Sequence, residues 1–358
     1  GSPRQFTYGN QNDSSPRWSP DGQHIAFLSN RANEQLAQIF IIPLRGGEAR
    51  PVTDVKGMIE SFAWSPDGQK FVISLLEMDD EVKEREADEQ KKKLGVVARH
   101  ITNLTYKFNG QGYLPQNKFH LWVVTAETGE MTQITSGKFH EQEPSWSPDG
   151  TKILFVSDRS DNPRQGLITD EVELYTVPAE GGDITEIEAH EGRKFAPRWS
   201  PDGTKIAYLG NAEKPGKWWQ NNELFVVSVQ GGEVRSLTAV HDWDCAPNTL
   251  GDFGSPPGMI TPTWSADSRA VFTTVERHGG EFLAKIPVEN PADAEIFLND
   301  GLVNGLFSFS AAQDKLAFYR ATPTNPCQIL VQDFPAGAPK PLTAVNQDLL
   351  AAKQFGEI

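Results

Sequence analysis

Three histidines with acidic neighbours are the residues of this 358-residue chain whose types suit chemistry. His140 stands with Glu141 and Glu143, His190 with Glu191, and His241 with Asp242 and Asp244. Imidazole and carboxylate can ligate a divalent metal or move a proton. Each group lies just before a strand that begins a repeat, so the three occupy equivalent loops, expected on one face of the fold. Sequence spacing between such loops does not say whether they meet. The residues therefore favour polar loop side chains facing water or a partner, and no catalytic or metal role is assigned to them. Trp218-Trp219, in a long loop, could stack on a ligand or a partner, although packing within that loop is the stronger reading. No Gly-x-Ser-x-Gly elbow, phosphate loop, His-Glu-x-x-His or Cys-x-x-Cys occurs, and no cofactor is expected.

The elements that position these loops are set by a repeated pentapeptide. Trp-Ser-Pro-Asp-Gly stands at Trp18–Gly22, Trp64–Gly68, Trp146–Gly150 and Trp199–Gly203, with weaker copies at Trp264–Ser268 and Phe309–Gln313. In such a turn Pro presets φ, Asp bonds its own backbone two residues on, and Gly takes the positive φ that closes it. Trp is expected to be a large buried anchor. A short apolar run follows each copy, then a third apolar strand, then a turn marked by Gly46-Gly47, Thr128-Gly129, Gly181-Gly182 or Gly231-Gly232. Such dipeptides suit primed hairpin turns. Four strands per repeat, in six complete repeats, predict an all-β protein with the β-propeller fold.

Arg4–Tyr8 resembles the ends of the later repeats (Pro51-Val52-Thr53, Ile134-Thr135, Leu237-Thr238, Leu342-Thr343) and is expected to be the last strand of an incomplete blade. The expected organisation is then residues 1–9 as a cloning remnant plus that strand, 10–345 as the propeller, and 346–358 as the start of a linker. Residues 77–118 are an insertion in the second repeat. Its run Glu81–Lys93, acidic first and basic last, suits a short exposed helix, although a solvated excursion is the preferred reading, and Asn109-Gly110 reads as a hairpin tip.

The net charge of −15 argues against nucleic acid as a partner, because phosphate neutralisation needs clustered Lys and Arg. Two cysteines, Cys245 and Cys327, make no disulfide framework. No apolar run is long enough to span a bilayer, and no signal peptide is apparent, so a cytoplasmic protein without a membrane partner is expected.

The pentapeptide is common to many propellers, TolB-like proteins among them. The stretch Arg99–Tyr113, continuing into His120–Val124 behind the charged insertion, is more specific. It resembles the propeller of acylaminoacyl-peptidase-like serine peptidases of the prolyl oligopeptidase family. Leu342–Leu350 resembles the link by which that family passes from propeller to hydrolase. The resemblance implies a longer parent with a Ser-Asp-His α/β-hydrolase domain that this chain lacks, and a parent propeller of seven blades. It implies a non-catalytic domain that gates access of short peptides to that site, with self-association as a further expectation. The alternatives are a TolB-like interaction propeller and a metal-dependent propeller hydrolase.

Overall fold

A computed structural model describes residues 4–32, 36–96, 98–101, 106–109, 112–160, 171–212, 220–246, 261–322, 324–344 and 347–354. Six successive four-stranded sets follow the six repeats. The first is β1 (Asp13–Trp18), β2 (His24–Ser29), β3 (Gln38–Pro43) and β4 (Arg50–Pro51). The second is β5 (Gly57–Trp64), β6 (Lys70–Glu77), β9 (Phe119–Thr125) and β10 (Met131–Gln133). Its insertion carries α1 (Asp80–Ala87), α2 (Glu89–Leu94) and a hairpin of β7 (Lys107–Phe108) and β8 (Gly112–Tyr113). The third is β11 (Gln142–Trp146), β12 (Lys152–Ser157), β13 (Glu173–Pro178) and β14 (Thr185–Ile187). The fourth is β15 (Lys194–Trp199), β16 (Lys205–Gly210), β17 (Glu223–Ser228) and β18 (Arg235–Ser236). The fifth is β19 (Thr263–Trp264), β20 (Ala270–Arg277), β21 (Gly280–Pro287) and β22 (Glu295–Phe297). The sixth is β23 (Val303–Phe309), β24 (Lys315–Thr322), β25 (Asn325–Asp333) and β26 (Lys340–Pro341), joined to the fifth by one parallel pairing, Glu281 with Val303. A short helix α3 (Gln347–Ala351) follows.

By packing the chain divides into two bodies. One is Thr7–Phe195; the other holds Ala196–Asn211 and the described residues from Gln220 onward, with residues 4–6. In both, the second and third strands of a repeat are apolar on successive residues, because both of their faces are covered. In the first body one face of β2 and β3 (Ala26, Leu28, Ile39, Ile41) packs on Phe71, Ile73 and Leu75 of the second repeat. Val72, Leu121 and Val123, on the other face of that second repeat, pack on Ile153, Phe155, Tyr175 and Val177 of the third. In the second body Phe272 and Leu283 pack on Leu316, Phe318 and Leu330. Burying one such side chain stabilises by about 1.5–3 kcal/mol.

The pentapeptide turn uses its serine as much as its aspartate. Ser147 Oγ donates to Asp149 Oδ1 at 2.6 Å and accepts the Lys152 N–H at 2.9 Å. Asp149 Oδ1 also accepts the Thr151 N–H at 3.0 Å. The same three bonds recur around Ser19, Ser65, Ser200 and Ser265. The turn-closing glycines have φ of 66–72°, and the weaker copies hold Ser268 and Gln313 at φ 59° and 54°. The bonded side chains thus impose the left-handed position even where glycine is missing.

Three of the Trp anchors also reach back one repeat. Trp64 Nε1 donates to the Arg17 carbonyl at 3.3 Å, Trp146 Nε1 to Ala63 at 3.2 Å, and Trp264 Nε1 to Arg198 at 3.1 Å. Every acceptor immediately precedes the Trp of the previous repeat. Three residues before the anchors, Ser15, Glu143, Ala196 and Leu306 have φ of 49–54°. Register breaks accompany these positions in β1, β11 and β23, which marks them as β-bulges. Pro16, Pro144 and Pro197 follow, a residue that cannot donate to a ladder and so collects at bulges. The repeat-closing threonines form a further clasp: Thr53, Thr135, Thr238 and Thr343 accept the N–H of Ile39, Leu121, Leu224 and Ile329.

Four expectations need correction. Trp18 is 63% exposed, so that anchor is not buried; Trp146, at 9%, is. Residues 4–8 form no strand, since a fourth strand is held only by pairing with a third. The run Glu81–Lys93 is not one helix but two, broken where Asp88 turns extended and caps α2 by accepting from the N–H groups of Gln90 and Lys91. The Gly-Gly turns are not two-residue primed hairpins. The Pro43 carbonyl accepts from Gly46, both glycines then take positive φ, and β4 pairs only from Arg50.

Candidate functional site

The acidic loop residues are best understood from the strands that end beside them. β2 and β12 run out in Ser29-Asn30-Arg31 and Ser157-Asp158-Arg159. Arg31 lies over the rings of Phe27 and Phe40 at 5.2 and 5.0 Å and pairs with Asp13 at 2.9 Å. Arg159 lies over Phe155 and Tyr175 at 5.9 and 5.1 Å and pairs with Glu141 at 2.6 Å. In the second body Arg320 lies over Phe318 at 5.6 Å and pairs with Asp300 at 2.5 Å. Three repeats therefore share one device. An arginine at or just past the end of the second strand lies over an aromatic ring of its own repeat and clamps a carboxylate at or just before the first strand.

Glu141 belongs to this device. Its carboxylate is fully buried and takes His120 Nδ1 at 2.7 Å and the Thr135 hydroxyl at 3.0 Å besides Arg159. Its backbone carbonyl accepts from Ser74 Oγ at 2.9 Å. His140 is half-buried against Phe119, ring to ring at 5.6 Å, and its Nδ1 accepts the Phe119 N–H at 3.2 Å. Burial, with the charges of Lys118 and His120 adding to it, pushes its imidazole down to about 4. It is therefore neutral at pH 7. Glu143 is a bulge residue beside Glu60; burial raises the Glu60 carboxyl, and the Glu143 charge adds to that. Gln142 Nε2 donates to Glu60 Oε1.

His190 Nδ1 lies against the Glu191 carbonyl, and burial lowers its imidazole. Glu191 is exposed. Beside them the amine of Lys194, fully buried, donates to the Gly192 carbonyl and to Glu173, each at 2.8 Å. In the second body His241 stacks on Trp243 at 3.9 Å, with its Nε2 3.2 Å from the Pro291 carbonyl. Asp244 accepts from the N–H groups of Asn222 and Ala246, and Asp242 from Asn221 Nδ2 at 3.3 Å. Trp218 and Trp219 lie outside the described residues.

The structure thus engages the loop histidines and most of the acids in their own local frameworks. Among the described residues no three of His, Cys, Asp or Glu gather in a way that could hold a metal ion, and no helix is long and apolar enough to cross a membrane. Sequence reasoning missed the arginine clamps and the Lys194–Glu173 pair. In the first and third repeats the clamp had a signal: Ser-x-Arg just after the second strand, with Phe four before the Arg; Arg320 lacks it. Asp79 pins the stem of the insertion by accepting from Gln116 and Asn117, and the helices and hairpin there border a cleft of about 440 Å³.

No protein-family model matches the chain. It is 29% identical over 345 residues to the uncharacterized peptidase YuxL of Bacillus subtilis, covering 95% of this chain and 50% of that protein. It superposes on Pyrococcus horikoshii acylaminoacyl peptidase with a TM-score of 0.69 at 19% identity, over 96% of this chain and 46% of the other. The β-propeller domain of the Trilobed protease from Pyrococcus furiosus, described as having an open velcro topology, matches with a TM-score of 0.59 and 18% identity. That match covers 94% of this chain and 85% of the other.

This chain resembles the propeller portion of the acylaminoacyl-peptidase-like peptidases. It spans about half the length of the curated relatives it matches. The four-stranded repeats and the propeller likeness agree, so the expected fold class holds at that level. In this propeller the residues with chemical potential at the repeat connections mainly clamp strand ends. The family-like stretch from Arg99 belongs to the insertion that borders the cleft.

Proposed function

We propose that this chain is the non-catalytic propeller of a serine oligopeptidase of acylaminoacyl-peptidase type, which gates the access of short peptides to a Ser-Asp-His domain elsewhere in the parent. The observation that carries the reading is the coverage: nearly all of this chain matches half of a peptidase. Two features support it. The sequence contains no nucleophile elbow, and its loop histidines and most of the loop acids are engaged in local frameworks. The physical work of such a domain is steric.

The test uses both forms. The chain alone should not turn over acetyl-alanine p-nitroanilide, whereas the full parent should, with inhibition by a serine-directed reagent. Turnover by the parent should fall steeply with peptide length, and removal of the propeller should flatten that dependence. Inhibitor-sensitive turnover by this chain alone would overturn the non-catalytic assignment. A parent indifferent to peptide length would overturn the gate.

A further inference from the structure

Two copies of the pentapeptide depart from it, and their departures fit one another. The full motif has Pro at its third position and Gly at its fifth. The copy in the fifth repeat has Ala266 and Ser268 there, and the copy in the sixth ends in Gln313. Both turns still close as the others do. The N–H groups of Ser268 and Gln313 donate to the Ser265 and Ser310 carbonyls at 2.9 Å, as Gly150 does to Ser147. Closure holds Ser268 and Gln313 at φ 59° and 54°, a strain that glycine would avoid.

The fifth position faces the turn of the preceding repeat. A Cβ placed at Gly68 would stand 3.3 Å from Pro20 Cδ, and one at Gly150 3.8 Å from Pro66 Cδ. In the first body, then, a residue without a side chain lies against the proline of the turn before it. In the second body the same position carries hydrogen bonds. Ser268 is buried, and its Oγ accepts the Asp202 N–H of the fourth repeat at 3.1 Å. Gln313 reaches the turn of the fifth repeat with both ends of its amide. Its Nε2 donates to the Trp264 carbonyl at 2.8 Å, and its Oε1 accepts the Ala266 N–H at 3.2 Å. Ala266 stands where the full motif has proline, which has no N–H to donate. The alanine of one repeat and the glutamine of the next are therefore two halves of one contact.

We propose that Ser268 and Gln313 form a strap along the turns of repeats four to six, and that it makes these repeats open and close as one unit. In a repeat fold, stability is what each repeat supplies plus what each interface adds, and cooperativity comes from the interfaces. The two departures weaken the first part, through strain, and strengthen the second, through side-chain bonds to a neighbouring turn. The parallel pairing of Glu281 with Val303 crosses the same boundary between the fifth and sixth repeats. This inference goes beyond the peptidase reading and does not depend on it.

Hydrogen exchange in low denaturant, read by mass spectrometry, and thermal melts test the strap. In the wild-type chain β16, β20 and β24, the second strands of the three repeats, should exchange through one common opening with one denaturant dependence. Gln313→Gly restores the full motif and relieves left-handed strain, so a turn that acted only locally would become more stable. The variant should instead melt at a lower temperature, and β24 should exchange before β20. Ser268→Gly should likewise lower the melting temperature and separate β16 from β20. Ala266→Pro should destabilise the wild-type chain but not the Gln313→Gly variant, where the bond it breaks is already gone. Glycine variants that melt at or above the wild-type temperature, or three strands that already exchange independently in the wild-type chain, would overturn the proposal.

Discussion

β1 and β11 hold the same place in the first and third repeats and carry the same motif, Trp-Ser-Pro-Asp-Gly, yet their surroundings differ. Nearly all of β1 is exposed and Trp18 is 63% accessible, whereas Trp146 is 9% accessible and its indole donates to Ala63 of the preceding repeat. The turn after each strand is unchanged: Ser19 and Asp21 make the bonds that Ser147 and Asp149 make. The pentapeptide therefore carries two separable instructions. The turn is local and forms wherever the residues occur. The anchor is a tertiary contact and contributes only where a neighbouring repeat covers it. The arginine clamps repeat the lesson, since Glu141 is fully buried while its counterpart Asp13 is partly in water.

The largest expected difference is between the two tryptophans. Trp146→Ala should cost about 3–5 kcal/mol in urea unfolding, the usual range for emptying a buried aromatic site, and Trp18→Ala less than about 1 kcal/mol. Equal costs would show that exposure does not govern the anchor. Arg159→Ala should follow at about 3 kcal/mol, because it strips a buried carboxylate of its strongest partner. Arg31→Ala, acting on a pair nearer to solvent, should cost about 1 kcal/mol. A double-mutant cycle with Glu141→Gln would assign the difference to the ion pair rather than to ring packing.

The half-buried imidazole of His140 makes a pH-dependent version of the same contrast. Its folded-state value is pushed down to about 4 from 6.5, so the unfolded chain binds the proton first. Stability is intact above pH 6.5, declines as pH falls through that value, and levels off below about 4, for a total of up to about 3 kcal/mol. His140→Asn should flatten that slope in melts recorded across the window.

The turn carboxylates supply the smallest effect and a shared one. The Ser147 hydroxyl, followed by the Thr151 N–H, holds Asp149 below 3.8, and Asp21 is lowered by Ser19 in the same way. A depressed carboxyl stabilises above its unfolded value, and that contribution is lost as pH falls through the folded one. Asp149→Asn and Asp21→Asn should therefore cost similar, small amounts at pH 7, and the difference from wild type should vanish in strong acid. A large gap between the two at pH 7 would contradict the view that the turn is local.

What the sequence determined by itself is the repeat and its local grammar. Trp-Ser-Pro-Asp-Gly acts within a handful of residues, so its turn, the flanking strands and their order follow from near-neighbour chemistry that needs no fold to complete it. Threonines at the repeat ends and the hairpin at Lys107–Tyr113 are legible for the same reason. The family likeness of the stretch from Arg99 was legible too, because it rests on residue identity alone. Tertiary structure decided the rest. Whether a Trp is an anchor depends on a carbonyl tens of residues away, as with Trp146 and Ala63. Whether Glu141 is a site or a strut depends on Arg159, His120 and Thr135, which come from three different strand ends. Asp88 looked like one more charge in a helical run until its cap on α2 broke that run in two. In each case the deciding partner is distant in the chain or competes with a local preference, and a pattern read along the chain carries no information about which contact wins.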